Sequence, residues 1–187
     1  MPRTTTSAKS VIKGDRVFLR LPVKHDAAEF MRVNRRSASF HRGLASPPTR
    51  LDQFDQFVKR NERADGVCLL VCRMDDNAIM GSIALSQIFH GNFRSAYLGY
   101  QIGAEFAGQR YMSDAVQLML RHAFVTLKLH RLEANIQPGN TASIALVKKA
   151  GFVREGYSRR YLKIGGRWRD HERWAILAED WRKQRAT

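Results

Sequence analysis

Apolar positions recur along this chain with two periods, and the switches between them mark out its elements. VFLRLP (Val17 to Pro22) is a short apolar run closed by proline and reads as a strand, after which Asp26 is placed to cap a helix through about Arg36. FHRGLASPPTR reads as a loop, and Thr49 and Asp52 open a second helix through about Glu62. Three strand-like runs follow, GVCLLVCR, AIMGSIALSQI and SAYLGYQI, joined at Asp75-Asp76-Asn77 and around His90-Gly91-Asn92. Turns rich in Asp, Asn and Gly between such runs indicate an antiparallel meander.

The period then lengthens. Met112, Ala115, Val116, Met119 and Ala123 share one face of a helix predicted from Tyr111 to about Leu127. RLEANIQ returns to strand spacing, TASIALVKKA is a short helix ended by Gly151, and FVREGYSRRYLKI with RWRDHERWAIL forms a closing hairpin through Gly165-Gly166. This order predicts an α+β fold in which helices flank a mixed, mostly antiparallel sheet of six to seven strands, with about four helices. At 187 residues, without repeats or a Pro/Gly linker, the chain supports one core. We therefore expect a single domain over residues 13–183 behind a basic, disordered leader at residues 1–12.

Charge adds a class of partner. A net charge of +15 favours polyanions, whether RNA, the ribosome or a phosphate-bearing cofactor. The cations come in scattered pairs such as Arg35-Arg36, Lys148-Lys149 and Arg159-Arg160, so a solvated basic exterior and an RNA contact both stay open. No apolar run approaches the roughly 20 residues of a membrane span, and the leader lacks a signal peptide's apolar centre, so a cytoplasmic protein is expected. Cys68 and Cys72 would stand about 13 Å apart on one strand, beyond disulfide reach. They are expected to be inert core thiols, with no metal site.

Two places could carry chemistry. Pro138-Gly139-Asn140 breaks a strand, and Asn140 can cap the helix that follows. At 100° per residue Ser143 shares a face with Leu146, Val147 and Ala150, so its hydroxyl points inward and needs a partner. Spacing leaves open whether that partner is a backbone carbonyl or a ligand. The second place is GAEFAGQRYMSDA, Gly103 to Ala115, where a glycine-containing loop feeds a helix N-terminus, a natural seat for phosphate. An ordinary strand-to-helix connection would look the same.

YLGYQIG, HRLEANIQPGNTASIALVKKAGFVREGY and YLKIGGRWRDHERWAIL, in this order, resemble the Gcn5-related N-acetyltransferase family. Within it the likeness is to the RimJ/RimL type of ribosomal-protein N-terminal acetyltransferase. The resemblance implies acetyl-CoA bound where two adjacent parallel strands, SAYLGYQI and RLEANIQ, splay apart. The backbone around Gln101, Ile102 and Gly103 would pair with the pantetheine arm, and Ala107-Gly108-Gln109-Arg110-Tyr111-Met112 would hold the pyrophosphate. Arg110 stands where the family pattern has glycine; either Gly108 supplies the freedom and the Arg110 guanidinium contacts phosphate in place of close backbone approach, or the loop binds CoA weakly and the protein acts by association. Asn140 matches a residue near the pantetheine, and Ser143 one that protonates the departing thiolate.

The acceptor implied is a primary amine, most directly a protein N-terminus such as that of a ribosomal protein. Alternatives are a small amine (an aminoglycoside or polyamine) and a non-catalytic RNA- or ribosome-associated module on this scaffold. No carboxylate stands out as a base. Glu133 reads as an ion-pair residue, Glu155 lies nearby, Tyr157 reads as a packed aromatic and His130 as a surface residue. Trp168 and Trp174 are both expected in the core. Monomer and homodimer stay equally open.

Overall fold

A computed structural model describes residues 10–186; the leader expected at the N-terminus falls outside them up to residue 9. The strands are β1 (Ser10–Lys13), β2 (Val17–Arg20), β3 (Gly66–Arg73), β4 (Ile79–Phe89), β5 (Ser95–Ile102), β6 (Arg131–Ile136), β7 (Val153–Ile164) and β8 (Arg167–Leu177). The helices are α1 (Ala27–Arg36), α2 (Leu51–Lys59), α3 (Tyr111–Arg121), α4 (Thr141–Lys149) and α5 (Ala178–Ala186). One sheet runs in the order β1-β2-β3-β4-β5-β6-β8-β7, and only the β5–β6 pairing is parallel. The sheet thus has eight strands rather than six or seven. β1 is the addition, four residues that are too short to display a period.

Both faces of the sheet are covered, which is why β3 reads as an unbroken apolar run. Cys68, Leu70 and Cys72 face Phe30, Phe54 and Phe57 of α1 and α2. Leu69 and Val71 join the other core with the face of α3 predicted from its spacing. Both thiols are free and buried, and burial pushes the Cys72 thiol up to about 11. α3 is followed by a π-helical turn, His122–Thr126, so the long helix expected to Leu127 changes its winding before it ends.

Three expectations are corrected. Asp26 does not cap α1, which begins without a side-chain cap. Its carboxylate instead accepts both Arg20 guanidinium N–H groups at 2.6 and 2.7 Å and the Val23 N–H at 2.7 Å. Trp168 is 61% exposed while Trp174 is 4% exposed. Pairing between β6 and β8 stops at Ile136–Glu172, so Trp168 lies on the part of the β7–β8 hairpin that projects past the core. Tyr157 is an exposed residue donating to Asp170 at 2.6 Å, not a packed one.

Candidate active site

β5 and β6 pair only at Ser95–Arg131, Ala96–Leu132 and Tyr97–Glu133, yet β5 continues to Ile102 and β6 to Ile136. Each is held by its other neighbour. β4 stays paired with β5 through Ile102, and the Gly103 N–H reaches Met80 O at 2.7 Å. β6 stays paired with β8 along its length. The two strands therefore part into a wedge. Because backbone groups alternate along an antiparallel ladder, the Gly103 bond turns those of Gln101 into β4 as well. That leaves the N–H and C=O of Tyr100 and Ile102 on the open edge, and of the predicted Gln101–Gly103 stretch only Ile102 meets it.

α4 closes one side of the wedge. Asn140 accepts the Ser143 N–H at 3.2 Å, the predicted cap. Ser143 is half-buried, and its Oγ lies 2.5 Å from the Tyr100 hydroxyl on β5. The hydroxyl that needed a partner finds one across the wedge, in a residue sequence reasoning passed over. Tyr100 is the third in an alternating row with Ala96 and Leu98 that faces the core. That alternation, with a polar tip at the end nearest the loop, was the available signal. Burial pushes the Tyr100 phenol up to about 12, with the Ser143 bond opposing. Gln101 points to the opposite face, where its amide donates to Asn34 Oδ1 at 3.5 Å.

The loop from Gly103 to α3 is braced by Arg16, a residue with no mark in the sequence. Its guanidinium binds Asp114 at 2.9 and 2.6 Å, donates to Gln109 O at 3.3 Å and lies 5.1 Å from the Tyr111 ring centre. Gln109 donates to Glu105 O at 2.8 Å, and Met112 turns its side chain into the core. The first backbone bond across the helix start runs from Asp114 N–H to Arg110 O, so earlier N–H groups face the loop. Arg110 itself is exposed at φ +67°, the left-handed region that suits glycine, beside Gly108 at φ +76°. A groove of about 270 Å³ between α3 and α4 is lined by Arg16, Arg110 and Lys149 among others. Cationic side chains and free N–H groups together suit the phosphates of a CoA thioester.

Arg110→Gly separates two effects of this residue. Relief of the left-handed strain, roughly 1 kcal/mol, is offset by the extra freedom of glycine in the unfolded chain. Thermal unfolding is expected to shift by less than about 3 °C, while the acetyl-CoA Kd measured by calorimetry rises about fivefold to tenfold. A tighter complex would mean that the side chain obstructs the loop.

A larger cleft of about 670 Å³ opens on the α1–α2 side of the sheet. Its lining includes residues 45–48 of the loop after α1, Gln53 and Arg60 from the second helix and its extension, Ser82 from β4, and Gly99 to Gln101 from β5. Neither carboxylate near the wedge is free. Arg131 holds Glu133 at 2.8 Å and also binds Glu155, which it keeps below the usual carboxylate range. His130 is exposed and pairs with Glu179 at 3.1 Å.

A splayed parallel pair, a capped helix across it and a phosphate-suited loop make up a candidate acetyl-CoA site of the acetyltransferase class. The acetyltransferase (GNAT) domain matches residues 16–153, and the chain belongs to that family of acetyl-CoA-dependent N-acetyltransferases. It is 36% identical over 125 residues to the "Probable N-acetyltransferase YjcK" of Bacillus subtilis, covering 67% of this chain and 69% of that one. It is 38% identical over 107 residues to the [ribosomal protein uS5]-alanine N-acetyltransferase of Escherichia coli, covering 57% of this chain and 55% of that one. The aligned stretch thus spans little more than half of that enzyme. The solved structure of Mycobacterium smegmatis RimJ in complex with CoA-disulfide superposes with a TM-score of 0.78 at 29% identity, over 88% of this chain and 83% of that one. The likeness is to the RimJ-like branch.

Proposed function

We propose that this protein transfers the acetyl group of acetyl-CoA directly to the α-amine of a protein N-terminus. The Tyr100–Ser143 hydroxyl pair beside the wedge carries the reading, because it offers a donor to the sulfur of a thioester bound there. Arg110, Lys149 and the free N–H groups before Asp114 would bind the phosphates. The open-edge backbone of Tyr100 and Ile102 would pair with the amides of the pantetheine arm. The acceptor would enter from the α1–α2 cleft.

Attack forms the C–N bond as the C–S bond breaks. The amine proton passes to water, and sulfur leaves as a thiolate that accepts a hydrogen bond from the Ser143–Tyr100 hydroxyl pair and then takes its proton from water. An α-amine with a pKa of about 7.7–8.0 is about one-third neutral at pH 7.5, whereas a lysine near 10.4 is about one part in a thousand neutral. Since Glu133 and Glu155 are both engaged by Arg131, an acceptor that is already partly neutral fits this site best. The uS5-alanine specificity in the name of the Escherichia coli relative points the same way. A ribosomal-protein terminus is thus the first acceptor to try, with RNA contact by the basic exterior as a second attachment to the ribosome.

Calorimetric titration with acetyl-CoA followed by thiol release with peptide, aminoglycoside and spermidine acceptors tests the proposal. Micromolar acetyl-CoA binding and turnover with peptide α-amines are expected. No binding at millimolar acetyl-CoA, or turnover with spermidine alone, would refute it.

A further inference from the structure

The ionisable residues lining the α1–α2 cleft are Arg60, Arg63, Asp65, Cys68 and Tyr100, the last with its hydroxyl turned away to Ser143. Arg63 grips both Asp65 oxygens, each at 2.8 Å, so that pair cancels. The Cys68 thiol is buried and pushed up by its burial, so it stays neutral. Arg60 remains as an uncompensated cation, exposed at the end of the second helix and beside the Cys68 thiol. The side chains around it, including Gln53, Gln56, Ser82 and Ser86, are uncharged hydrogen-bonding groups. A cleft with one free arginine and no free carboxylate among the described residues disfavours a polycation and favours an acceptor bearing negative charge.

The sheet sets the distance between that charge and the reacting amine. Cys68 lies opposite Ala84, and Ala84 opposite Gly99, so Arg60 and the wedge are separated by two strand spacings, or roughly 10 Å. Gly99 forms a low floor at the wedge end, where an added Cβ would meet nothing within 4 Å, and its neighbour is Tyr100. An extended peptide covers about 3.3 Å per residue, so roughly 10 Å is three residues. We infer that the acceptor is a peptide N-terminus carrying an acidic side chain at its third or fourth residue, which Arg60 binds while the α-amine lies over Gly99. This inference rests on the α-amine transfer proposed above and specifies its substrate.

The test uses the full chain and octapeptides that share a first residue, with a single Glu placed in turn at positions two to six. An all-neutral peptide, a set with Lys in place of Glu, and spermidine complete the acceptors. At saturating acetyl-CoA, Glu at position three or four is expected to raise kcat/KM about fivefold over the neutral peptide, and Lys there to lower it by a similar factor. Arg60→Glu should reverse the preference, and a thermal melt checks that this exposed substitution leaves the fold intact. Gly99→Val should raise KM for every peptide at least fivefold with acetyl-CoA affinity unchanged.

Equal kcat/KM at all Glu positions, or an unchanged preference in Arg60→Glu, would overturn the inference, as would an unaltered peptide KM in Gly99→Val. Peptide affinity measured by fluorescence anisotropy in the presence of CoA decides the charge preference without turnover. If no acceptor is acetylated while acetyl-CoA binds, the transfer reading falls and the binding comparison still decides this one.

Discussion

Tyr100→Phe is expected to lower kcat by roughly 30-fold to 100-fold while leaving the acetyl-CoA Kd within about twofold, and Ser143→Ala to do the same. The double substitution should cost little more than either single one. The two hydroxyls lie 2.5 Å apart and act as one donor, so removing either breaks the same chain. The magnitude follows from the charge on the leaving group. A hydrogen bond to a charged partner contributes about 1.5–3 kcal/mol, and here that charge exists only as the C–S bond breaks, so the loss falls on kcat. Outright proton transfer from Tyr100 is not the source. With its phenol pushed up to about 12, giving a proton to a thiolate of pKa about 8.5 is uphill by about 5 kcal/mol, so the couple stabilises charge and the proton is replenished from water. Single-turnover thiol release with each variant measures the effect, and additive losses in the double variant would refute the shared donor.

The same shift fixes a pH dependence. The folded-state pKa of Tyr100 lies above its ordinary value of 10, so the stability tied to its protonated form is fully present below pH 10 and is lost as pH rises from about 10 to about 12. Between pH 6 and 9 the hydroxyl pair does not titrate. The rise of kcat/KM with pH should therefore follow the acceptor's α-amine alone.

What the sequence made legible about this site is what neighbouring residues decide among themselves. Asn140 and Ser143 are three apart, and a cap with helical spacing is enough to fix the direction of the serine. The wedge was legible only through resemblance, since nothing within β5 or β6 says that each will keep its outer partner and release the other. Tyr100 was missed because its contact spans 43 residues of chain, and on β5 alone it reads as one more core aromatic. Arg16 was missed for the same reason, reaching Asp114 across 98 residues. The unusual Arg110 was visible as a departure from pattern, but only the backbone gives its meaning: the position requires a left-handed residue, and this chain meets the requirement without glycine. Trp168 and Trp174 are six residues apart on one strand, and what separates them is where β6 stops.

Asp26→Ala is expected to be the most destabilising single substitution outside the apolar core, by about 3–5 kcal/mol, against a total stability of about 5–15 kcal/mol for a domain of this kind. The side chains of Arg20 and Asp26 are 13% and 3% exposed, and the carboxylate also holds the Val23 N–H. A cap signal at Asp26 was real chemistry aimed at the wrong donor, because the Arg20 guanidinium, six residues earlier in the chain, offers two charge-assisted bonds and the helix start offers a neutral N–H. Removing the carboxylate strands Arg20 with neutral partners, the Leu21 carbonyl at 3.2 Å and the Cys72 thiol. Arg20→Met with Asp26→Leu should recover most of the loss, because replacing both partners leaves no buried charge. Urea midpoints at unchanged m-value measure all three variants, and a double variant no more stable than Asp26→Ala would show that the pair is needed as such. Function is expected to follow stability through α1. Its Asn34 donates to Pro48 O at 2.8 Å and accepts from Gln101, tying the helix to the cleft wall and to β5. Loosening the N-terminal end of α1 should therefore raise the acceptor KM before it alters the acetyl-CoA binding proposed for α3 and α4 across the sheet.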